Sequence, residues 1–189
     1  MPVTSTDIAN QAIQLMGDNQ PAVTGVAPTF DSSPAGNALA SLYTPCVQTV
    51  GRQHGWDFAR STVALTLTGN TAPIPWTYEY FYPTNGVEVW ELMPSVLADP
   101  NNPLPSNWNI ANSLIASVQT KVIQTDLANA TAVYNNSPSE NTWDALFREA
   151  VVRLLASELA MALAGRPDSA QALLESGAAF ETIGEARDD

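Results

Sequence analysis

Residues 143–164 read WDALFREAVVRLLASELAMALA, and this stretch carries the strongest structural signal in the chain. Its apolar residues recur at positions i, i+3, i+4 and i+7, which predicts an amphipathic helix with one buried face. Asn141 is the expected N-cap residue, and Gly165 and Pro167 end the helix. A helix with such a face needs other helices to cover it.

Two segments in the first third of the chain can cover this face. Residues 6–16 predict a helix that Thr6 caps and Gly17 ends. Residues 34–53 predict a second helix, with Ser33 as the cap before a proline at the first helical position. Pro45 falls inside this second helix, where it is expected to kink or divide it.

The middle of the chain is rich in proline, asparagine and threonine and predicts short strands rather than helices. Strands are expected at residues 61–68, 108–110, 120–125 and 131–134, with an aromatic, β-rich stretch over 78–93.

We therefore predict a mainly α protein. Its N-terminal helices (1–60) and C-terminal helices (137–180, including a shorter helix at 169–180) form one bundle. A β-rich insertion occupies 61–136, and an extended acidic tail occupies 181–189.

The charge balance excludes one class of partner. The chain has 19 acidic and 7 basic residues and a formal net charge of −12. Nucleic-acid affinity comes largely from Lys and Arg that displace counterions. We therefore do not expect this chain to bind the phosphates of DNA or RNA. No apolar run approaches the roughly 20 residues that span a bilayer, and the N-terminus lacks a signal-peptide pattern. We expect a protein made in the cytoplasm that does not enter a membrane.

The sequence offers little for catalysis, and we predict no catalytic site, no metal and no cofactor. His54 is the only histidine and Cys46 the only cysteine, too few for a zinc site or a disulfide. No glycine-rich phosphate loop is present. One alternative stays open: Glu79, Glu88 and Glu91 lie among aromatics, and two carboxylates at the right separation could hydrolyse a cell-wall glycan.

Five segments, taken in order, resemble the head-to-tail adaptors of tailed bacteriophages, closest to the tail tubular protein A or gatekeeper family of short-tailed phages. They are the opening helix ending in Met16-Gly17-Asp18, residues 55–58 (GWDF), 76–89 (WTYEYFYPTNGVEV), 121–134 (KVIQTDLANATAVY) and 143–164. The chain departs from the family's pattern at Pro45 and in the loop over 98–107.

This resemblance implies a structural protein of the virion neck. Such adaptors form a homo-oligomeric ring of twelve copies under the portal protein, extend the DNA channel and receive the next neck or tail protein. DNA passes through without sequence-specific binding. A stopper or tail-completion protein of the same neck is the alternative.

The resemblance also implies where partners bind. Family C-terminal segments dock on the portal, which by position makes Arg166, Phe180, Ile183 and Arg187 the docking candidates. Aromatic residues are favoured at protein interfaces. The candidates for subunit contacts are therefore Trp56, Phe58, Tyr80, Tyr82 and Trp90.

Overall fold

A computed structural model of the chain describes residues 2–17, 20–94, 107–164, 168 and 171–176. These residues form two compact units. The helical unit comprises the described parts of residues 1–59 and 137–189, and the β unit comprises those of residues 60–136. The described residues before Arg60 and after Asn136 therefore belong to one unit, and the β unit is inserted between them.

Three α-helices build the helical unit: α1 (Ser5–Leu15), α2 (Pro34–Gln53) and α3 (Ala145–Leu159). A π-helical turn, Ala160–Ala164, continues α3, and residues 171–176 are also helical. α3 packs against both α1 and α2. Ile8, Leu39, Val151, Leu155 and Leu159 are fully buried where these helices meet. Burying each such side chain stabilises the fold by roughly 1.5–3 kcal/mol.

The helix ends differ in part from the predicted ones. Thr4, not Thr6, is the N-cap of α1, and it forms a capping box with Asp7. Asp144, not Asn141, caps α3 by accepting a hydrogen bond from the Leu146 backbone N–H. The bounds predicted for α2 are confirmed, with Ser33 as its cap, and the helix runs undivided through Pro45.

A short hairpin, β1 (Gly25–Val26) and β2 (Thr29–Phe30), precedes α2 in the helical unit. Asp31 links this hairpin to the start of α2. Its carboxylate accepts hydrogen bonds from the backbone N–H groups of Thr24 (2.6 Å) and Ser33 (3.0 Å). Hydrogen bonds from Ser33, and then from Thr24, lower the pKa of Asp31 to about 2. The chain therefore enters α2 through a fixed turn.

The β unit contains two antiparallel three-stranded sheets. One has the order β3–β8–β5 and the other β4–β7–β6. The strands are β3 (Arg60–Ala64), β4 (Tyr78–Phe81), β5 (Glu88–Pro94), β6 (Trp108–Ile115), β7 (Val118–Thr125) and β8 (Ala130–Asn135). Tyr80, Leu92, Ile123 and Ala132 lie in a core of this unit's own. The unit thus buries apolar surface within itself.

The prediction of a mainly α protein is wrong. Among the described residues 41% are helical and 28% lie in strands, in three antiparallel sheets, which makes this an α+β fold. The strand content was underestimated in part because β6 continues through Asn112, a residue type that is depleted in strands. Only residues 108–110 of β6 had been expected to form a strand, whereas pairing with β7 extends it to Ile115.

The turn into α2 leads to a testable prediction. A Cβ added at Gly36 would lie 2.1 Å from the Asp31 carbonyl oxygen and 2.6 Å from its Oδ1. Gly36→Ala must therefore displace the turn, and we expect it to lower the free energy of unfolding by about 2 kcal/mol. Urea denaturation measures this loss. Thr49→Ala, at an exposed position of the same helix, is the control and should change stability by less than about 0.5 kcal/mol. Equal stability of the two variants would contradict this packing.

Candidate interaction surface

Two of the five aromatic candidates for subunit contacts are core residues. Trp56 is 2% exposed and its indole N–H donates to the Val50 carbonyl oxygen at 3.0 Å. Tyr80 is 1% exposed and its hydroxyl donates to the Leu127 carbonyl oxygen at 2.9 Å. Their polar atoms are satisfied inside their own units. Neither residue exposes enough surface to contact a neighbouring subunit.

The other three candidates keep some accessible surface. Phe58 is partly buried, with its ring 5.0 Å from that of Phe147 in the helical unit. Trp90, on β5, is 39% exposed. Tyr82 is partly buried just after β4, and the ammonium of Lys121 lies 3.6 Å from its ring centroid, a cation–π contact. Phe58 therefore lies in the helical unit, and Tyr82 and Trp90 lie in the β unit.

The portal-docking candidates Arg166, Phe180, Ile183 and Arg187 lie outside the described residues. The last described segment, residues 171–176, packs on the helical core through Leu173 and is joined to α3 through a hydrogen bond. The Arg153 guanidinium donates to the Ser176 hydroxyl at 2.9 Å, and it also pairs with Glu149 at 2.7 Å. This contact fixes where the segment that leads to the C-terminus begins.

His54 and Cys46 have structural surroundings. The His54 ring makes an edge-to-face contact with Trp56 at 5.1 Å, at the C-terminal end of α2. Cys46 is 4% exposed, and burial, with a smaller effect of Glu158, raises the pKa of its thiol to about 12. Since the thiolate is the nucleophilic form, this cysteine is poorly reactive at neutral pH.

The three carboxylates of the glycan-hydrolysis hypothesis lie on two different sheets. Glu88 and Glu91 are on β5, and Glu79 is on β4. Glu79 is 2% exposed, so a polymeric substrate cannot reach it. It accepts hydrogen bonds from Thr68 (2.9 Å), Asn70 (3.4 Å) and Gln124 (3.3 Å). These contacts give Glu79 a structural role, because they join the residues after β3 to β4 and β7.

The helical unit has a small cleft of about 200 Å³ between α2 and residues 137–143. Tyr43 and Trp143 line it, and the Tyr43 hydroxyl donates to the Glu140 carboxylate at 3.2 Å. Burial, followed by the charge of Glu140, raises the pKa of Tyr43. The tyrosine therefore stays neutral and acts as a hydrogen-bond donor. This hydrogen bond holds the residues around Glu140, where the chain re-enters the helical unit, against α2.

Ile74, after β3, is the most exposed of the large apolar side chains described in the β unit, at 97%. Two further exposed apolar residues lie close together at the end of the β6–β7 hairpin, residues 114–118, which we call the hairpin tip. Leu114 is 66% exposed and Val118 is 63% exposed. Ala116 and Ser117 form the turn with φ angles of 49° and 69°. A two-residue hairpin turn with such angles favours Asn-Gly, and holding other residues there costs roughly 1–2 kcal/mol each. Backbone strain of this kind clusters at functional sites.

The register of the strands shows that the hairpin tip extends beyond β4. β4 ends at Phe81, which pairs with Val122, and the next backbone N–H, that of Tyr82, donates to the Lys121 carbonyl oxygen. In the four residue pairs from Asn112–Lys121 to Ile115–Val118, β6 and β7 pair with each other and not with β4. At about 3.4 Å per residue this is a two-stranded end of roughly 13 Å. The Asn70 side-chain amide donates to the Ser113 hydroxyl (3.4 Å) and to the Leu114 carbonyl oxygen (3.3 Å).

A shallow groove of about 270 Å³ lies on the same unit, between residues 63–66 and the residues that follow β4. Its apolar lining consists of Val63, Leu65, Phe81, Tyr82, Pro83 and Tyr134. Val63 is 38% exposed, and Leu65, Tyr82 and Tyr134 pack below against the core of the unit. Thr66, Thr84 and Asn85 also line the groove, so its surface is of mixed polarity.

Sequence reasoning missed both the hairpin tip and the groove. Residues 114–118 (LIASV) contain no Gly, Pro or Asn, so no turn signal marked the hairpin. The signal that was present is the charge pattern. Residues 61–78 and 107–120 contain no charged residue, in a chain whose formal net charge is −12.

Most of the negative charge belongs to the helical unit. Of the 19 acidic residues, 14 fall in residues 1–59 and 137–189, together with 5 of the 7 basic residues. The β unit carries the remaining 5 acidic and 2 basic residues, and one of these acids is the buried Glu79. The helical unit therefore repels other negatively charged surfaces more strongly than the β unit does.

No helix in the described ranges is long and apolar enough to cross a membrane. Nor do these ranges hold any group of His, Cys, Asp and Glu side chains able to bind a metal ion. Comparison with protein-family models and with curated proteins finds no match for this chain.

The hydrogen bonds of Glu79 give a prediction that separates a structural from a catalytic role. Glu79→Ala leaves three donors without their acceptor, and we expect it to lower the free energy of unfolding by about 2 kcal/mol. Glu91→Ala, at an exposed position of β5, is the matched control and should change stability by less than about 0.5 kcal/mol. Denaturation curves measure both. Unchanged stability of Glu79→Ala, or peptidoglycan turnover that Glu79→Ala abolishes, would contradict the structural role.

Proposed function

We propose that this protein is a head-to-tail adaptor of a tailed-phage virion. Copies of it form a ring under the portal protein, extend the DNA channel and receive the next neck or tail protein. The observation that carries the proposal is the chain topology. Residues from both chain ends share one helical unit, and the residues between them form a separate β unit. This is the order in which the five segments resemble the adaptor family.

The distribution of charge supports the same role. A ring whose helical units carry most of the acidic residues presents a negative surface to DNA, which repels phosphate and lets DNA slide. The chain has only seven basic residues to hold phosphates. A passage for DNA, rather than a DNA-binding site, fits this balance.

The chemistry of the described residues favours a structural role over an enzymatic one. The sole cysteine is buried and protonated at neutral pH, and the histidine packs on a tryptophan. The buried Glu79 cannot act on a polymer. The protein works through its surfaces, as a component of the virion neck that needs no cofactor and no membrane.

The C-terminal segment provides the contact with the portal in this proposal. α3 and its π-helical turn lead to residues 171–176, which Arg153 holds on α3 through Ser176. The residues beyond carry the docking candidates Phe180, Ile183 and Arg187. A segment attached to a rigid helix at one end is well placed to order on a partner surface.

Removal of this segment tests the proposal. The portal protein of the same virion is mixed with the full chain or with a variant lacking residues 178–189, and native mass spectrometry reports the complexes. We expect the full chain to add a ring of twelve copies to the portal. The truncated chain should keep its free energy of unfolding and bind the portal at least about tenfold more weakly, because docking residues dominate such contacts.

The control for this experiment is the full chain without portal, which we expect to be largely monomeric. A full chain that forms no ring with or without portal would refute the adaptor role. Normal portal binding by the truncated chain would refute the assigned docking segment. A subunit found in the neck without any portal contact would favour a stopper instead.

A further inference from the structure

We propose that the cleft between α2 and residues 137–143 binds the guanidinium group of an arginine side chain that a partner protein presents. The cleft lies within the helical unit, so its ligand can be tested without the ring proposed above.

The size of the cleft limits its ligand to about one side chain. Its volume is about 200 Å³, whereas sites for drug-sized ligands start at about 300 Å³. Ala27, Val47 and Pro138 line the cleft and are partly buried. Such apolar walls suit the methylene groups of an arginine, which pack on apolar surface while the charged head contacts polar groups.

The cleft contains a carboxylate that can accept a cation. Glu140 is partly buried in the lining, and its Oε1 atom accepts a hydrogen bond from the Tyr43 hydroxyl at 3.2 Å. No described residue donates to its Oε2 atom, and no described Lys or Arg forms an ion pair with it. Among the described residues that line the cleft, none is basic. A cationic ligand would therefore supply the positive partner that Glu140 lacks within the described part of the chain.

The aromatic residues of the cleft favour arginine over lysine. Tyr43 and Trp143 line the cleft together with Glu140. A guanidinium is planar, stacks on aromatic rings and is more weakly hydrated than an ammonium, so it loses less on leaving water. It also carries five N–H donors. Thr44 and Gln48 are exposed at the cleft and supply oxygen atoms for the donors that Glu140 does not use.

The charge of the surroundings indicates that the arginine belongs to a protein chain. The helical unit has 14 acidic against 5 basic residues, so its field attracts cations and repels anions. A free arginine carries an α-carboxylate, and no described basic side chain lines the cleft to pair with it. Inside a protein chain that carboxyl is a neutral peptide group. The cleft therefore fits an exposed arginine on a partner protein better than a free amino acid.

Binding of small probes to the isolated full chain tests this site. The probe is N-acetyl-arginine amide, whose blocked ends resemble a position within a chain, and N-acetyl-citrulline amide is a neutral control of the same shape. Titration followed by ¹H–¹⁵N NMR reports the signals of Thr44, Gln48 and the Trp143 indole N–H. We expect the arginine probe to shift these signals. The citrulline probe should bind at least about tenfold more weakly, because it replaces a charge-assisted contact by a neutral one.

Two variants of equal charge show whether Glu140 is the group that binds. Glu140→Gln keeps an acceptor oxygen for the Tyr43 hydroxyl and removes the charge, and it should weaken binding of the arginine probe at least about tenfold with thermal unfolding unchanged. Glu175→Gln removes the same charge at an exposed position outside the cleft lining and should change the affinity by less than about twofold, because salt screens exposed charges.

Four results would overturn the inference. They are an arginine probe that causes no shifts at the cleft, equal binding of the arginine and citrulline probes, unaltered binding by Glu140→Gln, and tighter binding of free L-arginine than of the blocked probe. The last result would show a site for a free amino acid instead of a partner protein.

The titration also separates this site from the proposed function. A cleft that binds the arginine probe, in a protein that forms no ring on the portal, would uphold the site and refute the adaptor role. A protein that forms the ring and does not bind the probe would overturn the site and leave the adaptor role standing.

Discussion

The fold depends on the packing of α3 against residues from the first third of the chain. Phe147 has its ring 5.1 Å from that of Trp56 and 4.9 Å from that of Trp143, in edge-to-face contacts. Trp56 comes directly before the β unit and Trp143 follows it. These rings therefore bring together the two points at which the chain leaves and re-enters the helical unit. Losing Phe147 would remove a contact worth roughly 3–5 kcal/mol at the junction.

Because these ring contacts stabilise the helical unit without the β unit, the surface of the β unit can have properties of its own. Since residues 60–136 have a core of their own, their surface is not needed to stabilise the helices. The hairpin tip can then keep a strained turn and exposed apolar residues, which a unit without its own core could not tolerate. The acidic residues, in contrast, concentrate in the helical unit.

Local signals in the sequence located α1, α2 and α3, although the N-caps of α1 and α3 were misassigned, and they were insufficient for the strands. Ser33 and Pro34 mark the start of α2 so clearly that its bounds could be predicted. β6 could not be predicted in full, because Asn112 has low strand propensity and the pairing with β7 extends the strand past it to Ile115. This difference is why a mainly α protein was expected and an α+β fold is found.

Surface residues were harder to assign than secondary structure. Trp56 and Tyr80 have the composition of interface residues, yet both are enclosed by their own units. Burial depends on tertiary contacts between distant segments, which the residue type does not reveal. The hairpin tip shows the reverse case, since Leu114 and Val118 belong to an ordinary apolar run and are exposed only because the hairpin extends beyond β4.

The adaptor role is tested most directly by an electron-microscopy map of the assembled neck of the virion, in which this chain is located. For the proposed adaptor, we expect the map to show a closed ring of this chain in contact with the portal, with the C-terminal segment on the portal surface. A map in which this chain forms no ring, or forms one that does not touch the portal, would contradict it.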